Sequence, residues 1–131
     1  MTPAQFAASA VGVPWVRWRS DWQGMDCFGL IVLWHREVLG VPIPDVPQTD
    51  IAAGFELATG WTEIDAPEAG ASAWMAFREG APTHCGMMLT DSTVIHAEGW
   101  QFDRRGSVRV SKLDAIRRVY GTIKFYRYTP C

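Results

Sequence analysis

The sequence predicts an α+β fold, in which helices come first along the chain and an antiparallel sheet follows them. A continuous apolar run from Cys27 is typical of a helix buried in a core, and Asp26 before it is a good N-cap. From Trp61 onward, short β-rich runs alternate with turn residues. Helices followed by a series of strands favour an α+β plan over alternating βαβ units.

Capping and turn residues predict where the elements begin and end. Thr2 followed by Pro3 is typical of a helix start, and Gly40 with the prolines after it predicts the end of the second helix. Ser111, with Asp114 three residues later, predicts the cap of a late helix. The predicted helices are residues 4–11, 27–39, 51–60 and 111–119. The predicted strands are residues 62–64, 72–77, 84–89, 94–97, 107–110 and 122–128, and residues 41–50 are predicted to be extended.

Length and composition bound the classes of function. With 131 residues, of which 48% are hydrophobic, the chain fits a single compact domain over residues 1–131. A formal net charge of -2 disfavours nucleic acid as a partner, and no apolar run approaches the length of a membrane span. Residues 1–8 lack the basic start and the long apolar core of a signal peptide, so we expect synthesis in the cytoplasm without one.

The three cysteines are odd in number and widely spaced, so they indicate no disulfide framework. Cys27 differs from Cys85 and Cys131 because it is predicted to open a helix. Free N–H groups and the positive end of the helix dipole favour a thiolate over a thiol. Cys27 is therefore a candidate nucleophile, and a plain buried cysteine is the alternative interpretation.

Two histidines fall on the two arms of a predicted β-hairpin, His84 at the start of the first arm and His96 near the end of the second. If the loop holds an odd number of residues, such as residues 90–92, both side chains point to one face within hydrogen-bond reach. An even loop separates them. A cysteine peptidase needs a thiolate, an imidazole that takes its proton, and a polar group that orients this imidazole. Cys27, His84 and His96 supply one of each.

Three motifs of the chain resemble those of a known family. They are GMDCFGL at residues 24–30, THCGMML at residues 83–89 and VIHA at residues 94–97. Together they look like the motifs of the NlpC-type cysteine peptidases, which cut bacterial cell-wall peptides. The resemblance extends over nearly the whole chain. The compact size and the ending at residues 119–128 are more similar to the branch of this family that is found in phage tails and prophages.

This resemblance implies a papain-like α+β fold, with the nucleophile at a helix start packed on a C-terminal antiparallel sheet. By motif, Cys27 is the nucleophile, His84 the general base and His96 the orienting residue, and no cofactor or metal is implied. The implied substrate is a peptidoglycan stem peptide, cut at an amide bond next to D-glutamate, commonly the γ-D-glutamyl to diaminopimelate link. The phage branch implies tail-tip or baseplate proteins as partners, a location on a phage or phage-like tail, and local opening of the host wall during DNA entry.

Four residues around the first motif are candidates for binding the substrate. They are Trp15, Trp18, Asp26 and Phe28. The tryptophans stand near the candidate nucleophile, where they form either a wall for the substrate or packing that fixes the cysteine. The cap role explains Asp26 adequately. The family usually has tyrosine in the place of Trp15 and a small serine in the place of Phe28, and these departures concern the groove more than the triad.

Two other interpretations belong to different classes of function. The first is a structural tail-assembly or tail-tip protein that keeps the fold and has little or no activity, which Trp15 and Phe28 favour. The second is a zinc site, whose ligands are Cys27, His84, Cys85 and His96. The zinc site is disfavoured because Cys85 must point to the opposite face of its strand from His84.

Overall fold

The computed structural model describes residues 1–43, 60–99 and 106–130, and its elements follow the predicted order. The helices are α1 (Pro3–Ala10), α2 (Cys27–Trp34), which continues as a π-helical segment over His35–Leu39, and α3 (Leu113–Tyr120). The strands are β1 (Ser20–Asp21), β2 (Gly24–Met25), β3 (Trp61–Ile64), β4 (Ala73–Arg78), β5 (Ala81–Met88), β6 (Thr93–Glu98), β7 (Ser107–Lys112) and β8 (Thr122–Tyr128). Nearly all of the predicted helix at residues 51–60 and most of the extended segment at residues 41–50 lie outside the described residues.

Among the described residues, six strands form one antiparallel sheet in the order β3-β8-β4-β5-β6-β7. Different helices cover its two faces. One face packs against α1 and α2 through a core that includes Met75, Cys85 and Met87. The other face packs against α3 through a core that includes Trp74 and Met88. Helices packed on an antiparallel sheet make this an α+β fold, as predicted.

Helix α2 is apolar on all sides because other elements surround it. All of its side chains after the first residue are buried, which is the environment that a helix without a polar face requires. The helical segment ends at Gly40, which takes the left-handed conformation with φ 66°. This confirms the predicted end. Within the described ranges, no helix has the length and apolar character needed to cross a membrane.

A reciprocal cap begins α1. Thr2 Oγ1 accepts a hydrogen bond from the Gln5 N–H at 3.1 Å, and the Gln5 side chain accepts one from the Thr2 N–H at 2.8 Å. Thr2 is thus confirmed as the N-cap, and Pro3 occupies the first helical position, where its missing N–H costs no hydrogen bond.

The predicted cap of the late helix is wrong. The N-cap residue of α3 is Lys112, whose side chain makes no capping hydrogen bond, and Ser111 belongs to β7. Strand β7 runs on to Lys112 because its pairing with β6 continues as far as Thr93. The Ser111 hydroxyl instead lies 2.9 Å from the Nε2 atom of His96.

The loop before β1 lies directly against the start of α2. The Arg19 carbonyl oxygen accepts a hydrogen bond from the Asp26 N–H at 3.1 Å. A Cβ atom placed on Gly29 would come within 1.9 Å of the same oxygen. Only glycine allows the loop to approach the helix this closely. The loop and the helix start therefore form one unit.

Gly29→Ala should destabilise the protein by about 1–3 kcal/mol, because the added methyl group overlaps a backbone oxygen. Helix propensity alone predicts the opposite effect, because alanine stabilises a helix by about 1 kcal/mol relative to glycine. Urea unfolding of the two proteins measures the difference. Ala8→Gly, on an exposed position of α1, calibrates the propensity contribution. A Gly29→Ala protein more stable than the wild type would contradict the steric interpretation.

Candidate active site

Cys27 is the first residue of α2, and the residue before it holds the helix start in place. Asp26 accepts a hydrogen bond from the Gly29 N–H at 2.7 Å through Oδ1 and one from the Trp18 N–H at 2.6 Å through Oδ2. Burial raises the pKa of Asp26, and these two hydrogen bonds oppose that change. Because the backbone engages both carboxylate oxygens, the predicted cap role of Asp26 is confirmed.

The hairpin of β5 and β6 brings the two histidines together. Met88 pairs with Val94, a register that makes residues 90–92 an odd, three-residue loop. The Nε2 atom of His84 and the Nδ1 atom of His96 are 2.8 Å apart, which is a hydrogen-bond distance. The two imidazoles therefore share one face of the hairpin, as the odd loop predicts.

Both imidazoles are withdrawn from water, with His84 5% exposed and His96 1% exposed. Burial, followed by the neighbouring His96, lowers the pKa of His84 to about 3. Burial also lowers the pKa of His96 to about 4, an effect that the Glu98 carboxylate opposes and the Arg109 guanidinium reinforces. Both rings are thus neutral near pH 7. A neutral imidazole has one donor nitrogen and one acceptor nitrogen, so one of the two histidines donates the shared hydrogen bond.

Three further side chains enclose the histidine pair on this face of the sheet. The Tyr120 ring lies over His84 with the ring centroids 4.4 Å apart, and Trp74 meets His84 edge-on at 5.4 Å. Ser111 contacts His96 through its hydroxyl. Sequence reasoning misses all three, because each reaches the site from another strand or helix. The one available signal, an alternating pattern along β7, identifies a face only after the pairing of β7 with β6 is known.

Glu98 connects Tyr120 to the edge of the sheet. The Tyr120 hydroxyl donates to Glu98 Oε1 at 3.1 Å, and Arg109 Nη1 lies 3.4 Å from Glu98 Oε2. Burial, and then the Glu98 carboxylate, raise the pKa of Tyr120. The phenol therefore stays protonated at neutral pH, and its ring is held in place over His84.

The surroundings of Cys27 link it to both cores. Cys27 is half-buried and packs against the core that contains Cys85. Cys27 also lies close enough to Tyr120 for a thiolate to add to the rise in the pKa of that phenol, after burial and Glu98. Tyr120 in turn packs on His84. Direct contact between the Cys27 sulfur and His84 stays a prediction.

Cys85 and His84 occupy opposite faces of β5, as strand alternation predicts. Cys85 is fully buried in the core that contains α2, whereas His84 contacts Trp74 of the other core. In the part of the chain that the structure describes, no three or more His, Cys, Asp or Glu side chains are grouped so that they could hold a metal ion.

The remaining substrate-binding candidates differ in exposure. Trp18 is 48% exposed, and Trp15 is half-buried. The Arg17 guanidinium lies 5.8 Å from the ring centroid of Trp15 and 5.7 Å from that of Trp18. Phe28 is 8% exposed and packs in the core around α2. The two tryptophans and Arg17 thus present surface near the helix start, while Phe28 mainly fills the core.

The architecture has a counterpart among solved structures. No protein-family model matches the sequence, and no curated protein matches it. The chain is similar to the crystal structure of the NlpC/p60 domain of the peptidoglycan hydrolase SagA, with a TM-score of 0.62 and 20% sequence identity, over 98% of this chain and 100% of that one. This chain has the fold of that domain. The α+β fold implied by the resemblance in motifs is therefore confirmed.

Alkylating reagents near neutral pH should label Cys27 far faster than Cys85 or Cys131. Cys27 combines partial exposure with a position at a helix start. Cys85 is fully buried, and burial, followed by the neighbouring Cys27, raises the pKa of its thiol. Mass spectrometry of iodoacetamide-treated protein locates the label. Equal labelling of all three cysteines would contradict the assignment of Cys27 as the reactive thiol.

The free energy of unfolding should fall when the pH is lowered from 7 to 5. A histidine in the unfolded chain titrates near pH 6.5, whereas His84 and His96 stay neutral in the folded protein down to about pH 3 and about pH 4. Between these values the unfolded state binds more protons, so stability is lost as the pH falls. From pH 6.5 to pH 5 the loss is about 2 kcal/mol for each histidine.

Urea titrations at the two pH values measure this loss. Burial raises the pKa of Asp26, so protonation of this carboxyl favours the folded state as the pH falls. Its contribution to stability is therefore opposite in sign to that of the histidines. His35 is a third buried histidine whose pKa burial lowers, so it acts in the same direction as the other two. His96→Asn removes one of the three and should reduce the loss, so the comparison isolates the contribution of His96. Equal stability of the wild type at pH 7 and pH 5 would contradict the burial of two neutral imidazoles.

Proposed function

We propose that this chain is a cysteine peptidase that hydrolyses an amide bond in peptides of the bacterial cell wall. The observation that carries the proposal is the hydrogen bond of 2.8 Å between His84 and His96, two buried imidazoles in a chain that also has a cysteine at the start of a buried helix. The likeness to a domain from a peptidoglycan hydrolase supports it, because the folds agree over the whole chain.

In this proposal, the Cys27 sulfur attacks the carbonyl carbon of the amide. His84 takes the thiol proton at Nδ1, because its Nε2 atom is engaged with His96. His84 then passes this proton to the departing amine. Water next attacks the thioester with His84 as the base, and the proton returns to the sulfur. His96 orients His84 throughout, which is the role of the third group in such sites.

The start of α2 supplies the electrostatic part of the mechanism. Backbone N–H groups and the positive end of the helix dipole stabilise negative charge on the thiolate and on the carbonyl oxygen of the tetrahedral intermediate. The Asp26 carboxylate uses the Gly29 N–H for the cap. The Cys27 N–H belongs to the residue of the nucleophile itself, two positions before Gly29, and we assign it to the oxyanion.

In this proposal the amide bond that is cleaved lies next to D-glutamate. The best substrate for a test is one that contains the γ-D-glutamyl to diaminopimelate link. A γ-linked glutamate keeps a free α-carboxylate beside the amide that is cut. Arg17 fits this group, because its guanidinium is exposed beside the rings of Trp15 and Trp18 and its charge acts on Asp26 at the helix start. In this proposal the tryptophans line the groove, and Phe28 supports the helix from the core.

The proposal extends to delivery of the enzyme. A tail-tip component of a phage or phage-like particle, with other tail-tip or baseplate proteins as partners, would open the host wall locally during DNA entry. This part of the proposal rests on the sequence similarity to the phage branch. A structural tail protein with the same fold is the competing function, and Trp15 in place of the usual tyrosine favours it.

Cys27→Ala should abolish cleavage of purified muropeptides, because it removes the nucleophile. The protein should stay folded, since the helix, its cap and the sheet remain, and the cost should be small beside the 2–5 kcal/mol of a typical core truncation to alanine. His84→Ala should lose as much activity, because thiolate and imidazole act as a unit. His96→Ala should keep partial activity, because water can orient His84 imperfectly. Product masses and urea unfolding measure the two effects.

Cys131→Ala is the matched control and should cleave like the wild type. Muropeptide cleavage by Cys27→Ala at the wild-type rate would falsify the nucleophile assignment. If the wild type cleaves no wall fragment under any condition, and particles carrying Cys27→Ala also fail to assemble, the structural function is favoured instead.

A further inference from the structure

The Ser111 hydroxyl extends the histidine pair by one more hydrogen bond. His84 Nε2 lies 2.8 Å from His96 Nδ1, and His96 Nε2 lies 2.9 Å from Ser111 Oγ. Strand register explains this placement. Ser111 pairs with Val94, which lies two residues before His96 and on the same face of β6. The three side chains form a continuous line of hydrogen bonds, His84 to His96 to Ser111.

A single arrangement of protons along this line leaves His84 able to act as a base. Its Nδ1 atom must be unprotonated, so neutral His84 carries its proton on Nε2. This N–H donates a hydrogen bond to His96 Nδ1. His96 then carries its own proton on Nε2, and this N–H donates a hydrogen bond to Ser111 Oγ. In the reverse arrangement Ser111 donates to His96, His96 donates to His84, and His84 Nδ1 already holds a proton.

We infer that Ser111 is a positioning residue, which accepts a hydrogen bond from the His96 Nε2–H and thereby keeps His84 Nδ1 free to receive the proton of Cys27. This inference rests on the proposed function. Once His84 has taken that proton, both of its nitrogens are donors, so His96 Nδ1 must be an acceptor. The His96 N–H on the far side then needs an acceptor of its own, because the ring is 1% exposed and an unpaired buried donor is costly.

A serine hydroxyl suits this position because it accepts a hydrogen bond without carrying a charge. The charged groups that act on His96 are Glu98 and Arg109, which lie 3.4 Å from each other as an ion pair. Their opposite charges partly cancel at the histidine. The partner of His96 Nε2 is therefore the neutral Ser111 hydroxyl rather than a charged group.

Ser111→Ala should lower kcat for muropeptide cleavage by about 10- to 100-fold, the size expected when one buried donor loses its partner in the transition state. KM should stay unchanged, because Ser111 lies behind His96. Ser111→Thr keeps the hydroxyl and suits a strand, so it should restore most of kcat. Ser107→Ala is the matched control, because it makes the same substitution four residues earlier on β7 and should leave kcat unaltered.

Nitrogen-15 NMR of the histidine rings reads the proton arrangement without any substrate. In the resting wild type, His96 should be protonated on Nε2 and unprotonated on Nδ1, and Ser111→Ala should show a mixture of the two forms. This measurement stays informative if the wild type cleaves nothing, in which case the proposed function fails and the inferred arrangement is still tested.

Three results would each overturn the inference. They are a His96 proton on Nδ1 in the wild type, a kcat for Ser111→Ala equal to that for Ser107→Ala, and a kcat for Ser111→Thr as low as that for Ser111→Ala. The first of these needs no variant, so the inference is testable even if a substituted protein fails to fold.

Discussion

The Asp26 carboxylate holds together the region on which the candidate site depends. One of its oxygens caps α2 through the Gly29 N–H, and the other binds the backbone of the aromatic loop at Trp18. These hydrogen bonds oppose the effect of burial, which raises the pKa of the Asp26 carboxyl. A helix start that is tied to a loop in this way presents Cys27 in one orientation. The close contact of the loop with Gly29 makes the same region intolerant of larger side chains.

Because side chains alternate along a strand, the candidate-site region includes residues on both faces of the sheet. Neighbouring residues on β5 point in opposite directions, so Cys85 enters the core around α2 while His84 joins the side chains under α3. Cys27 meets this strand from the α2 side through Cys85. Tyr120 approaches from α3 and packs on His84, so the site is built from both layers that cover the sheet.

Burial of the histidine pair has a cost in stability at acidic pH. Two imidazoles removed from water resist protonation, so both rings stay neutral well below neutral pH. The same desolvation means that the folded protein gains no proton where the unfolded chain does. Hydrogen bonds to His96 and Ser111 satisfy the buried ring nitrogens along the line. Buried titratable groups with shifted pKa values are frequent at functional sites, where they lower the stability of the folded protein.

Local signals in the sequence determined the elements that carry the site. The cap at Asp26, the apolar run behind it and the spacing of the two histidines around an odd loop depend on neighbouring residues along the chain, and the structure agrees with each. Local pattern also misled once, because Ser111 has the form of a helix cap, and pairing of β7 with β6 placed it in a strand.

Tertiary structure alone decided which side chains surround the histidines. Tyr120 comes from α3, Ser111 from β7 and Trp74 from β4, and these elements are brought to one face by strand pairing and helix packing between distant parts of the chain. Contacts of this kind leave no periodic trace in a single sequence, since each partner satisfies only its own local pattern. Both imidazoles are buried only when the helices pack on the sheet. This burial lowers their pKa values and keeps them neutral, so their protonation state also depends on tertiary structure.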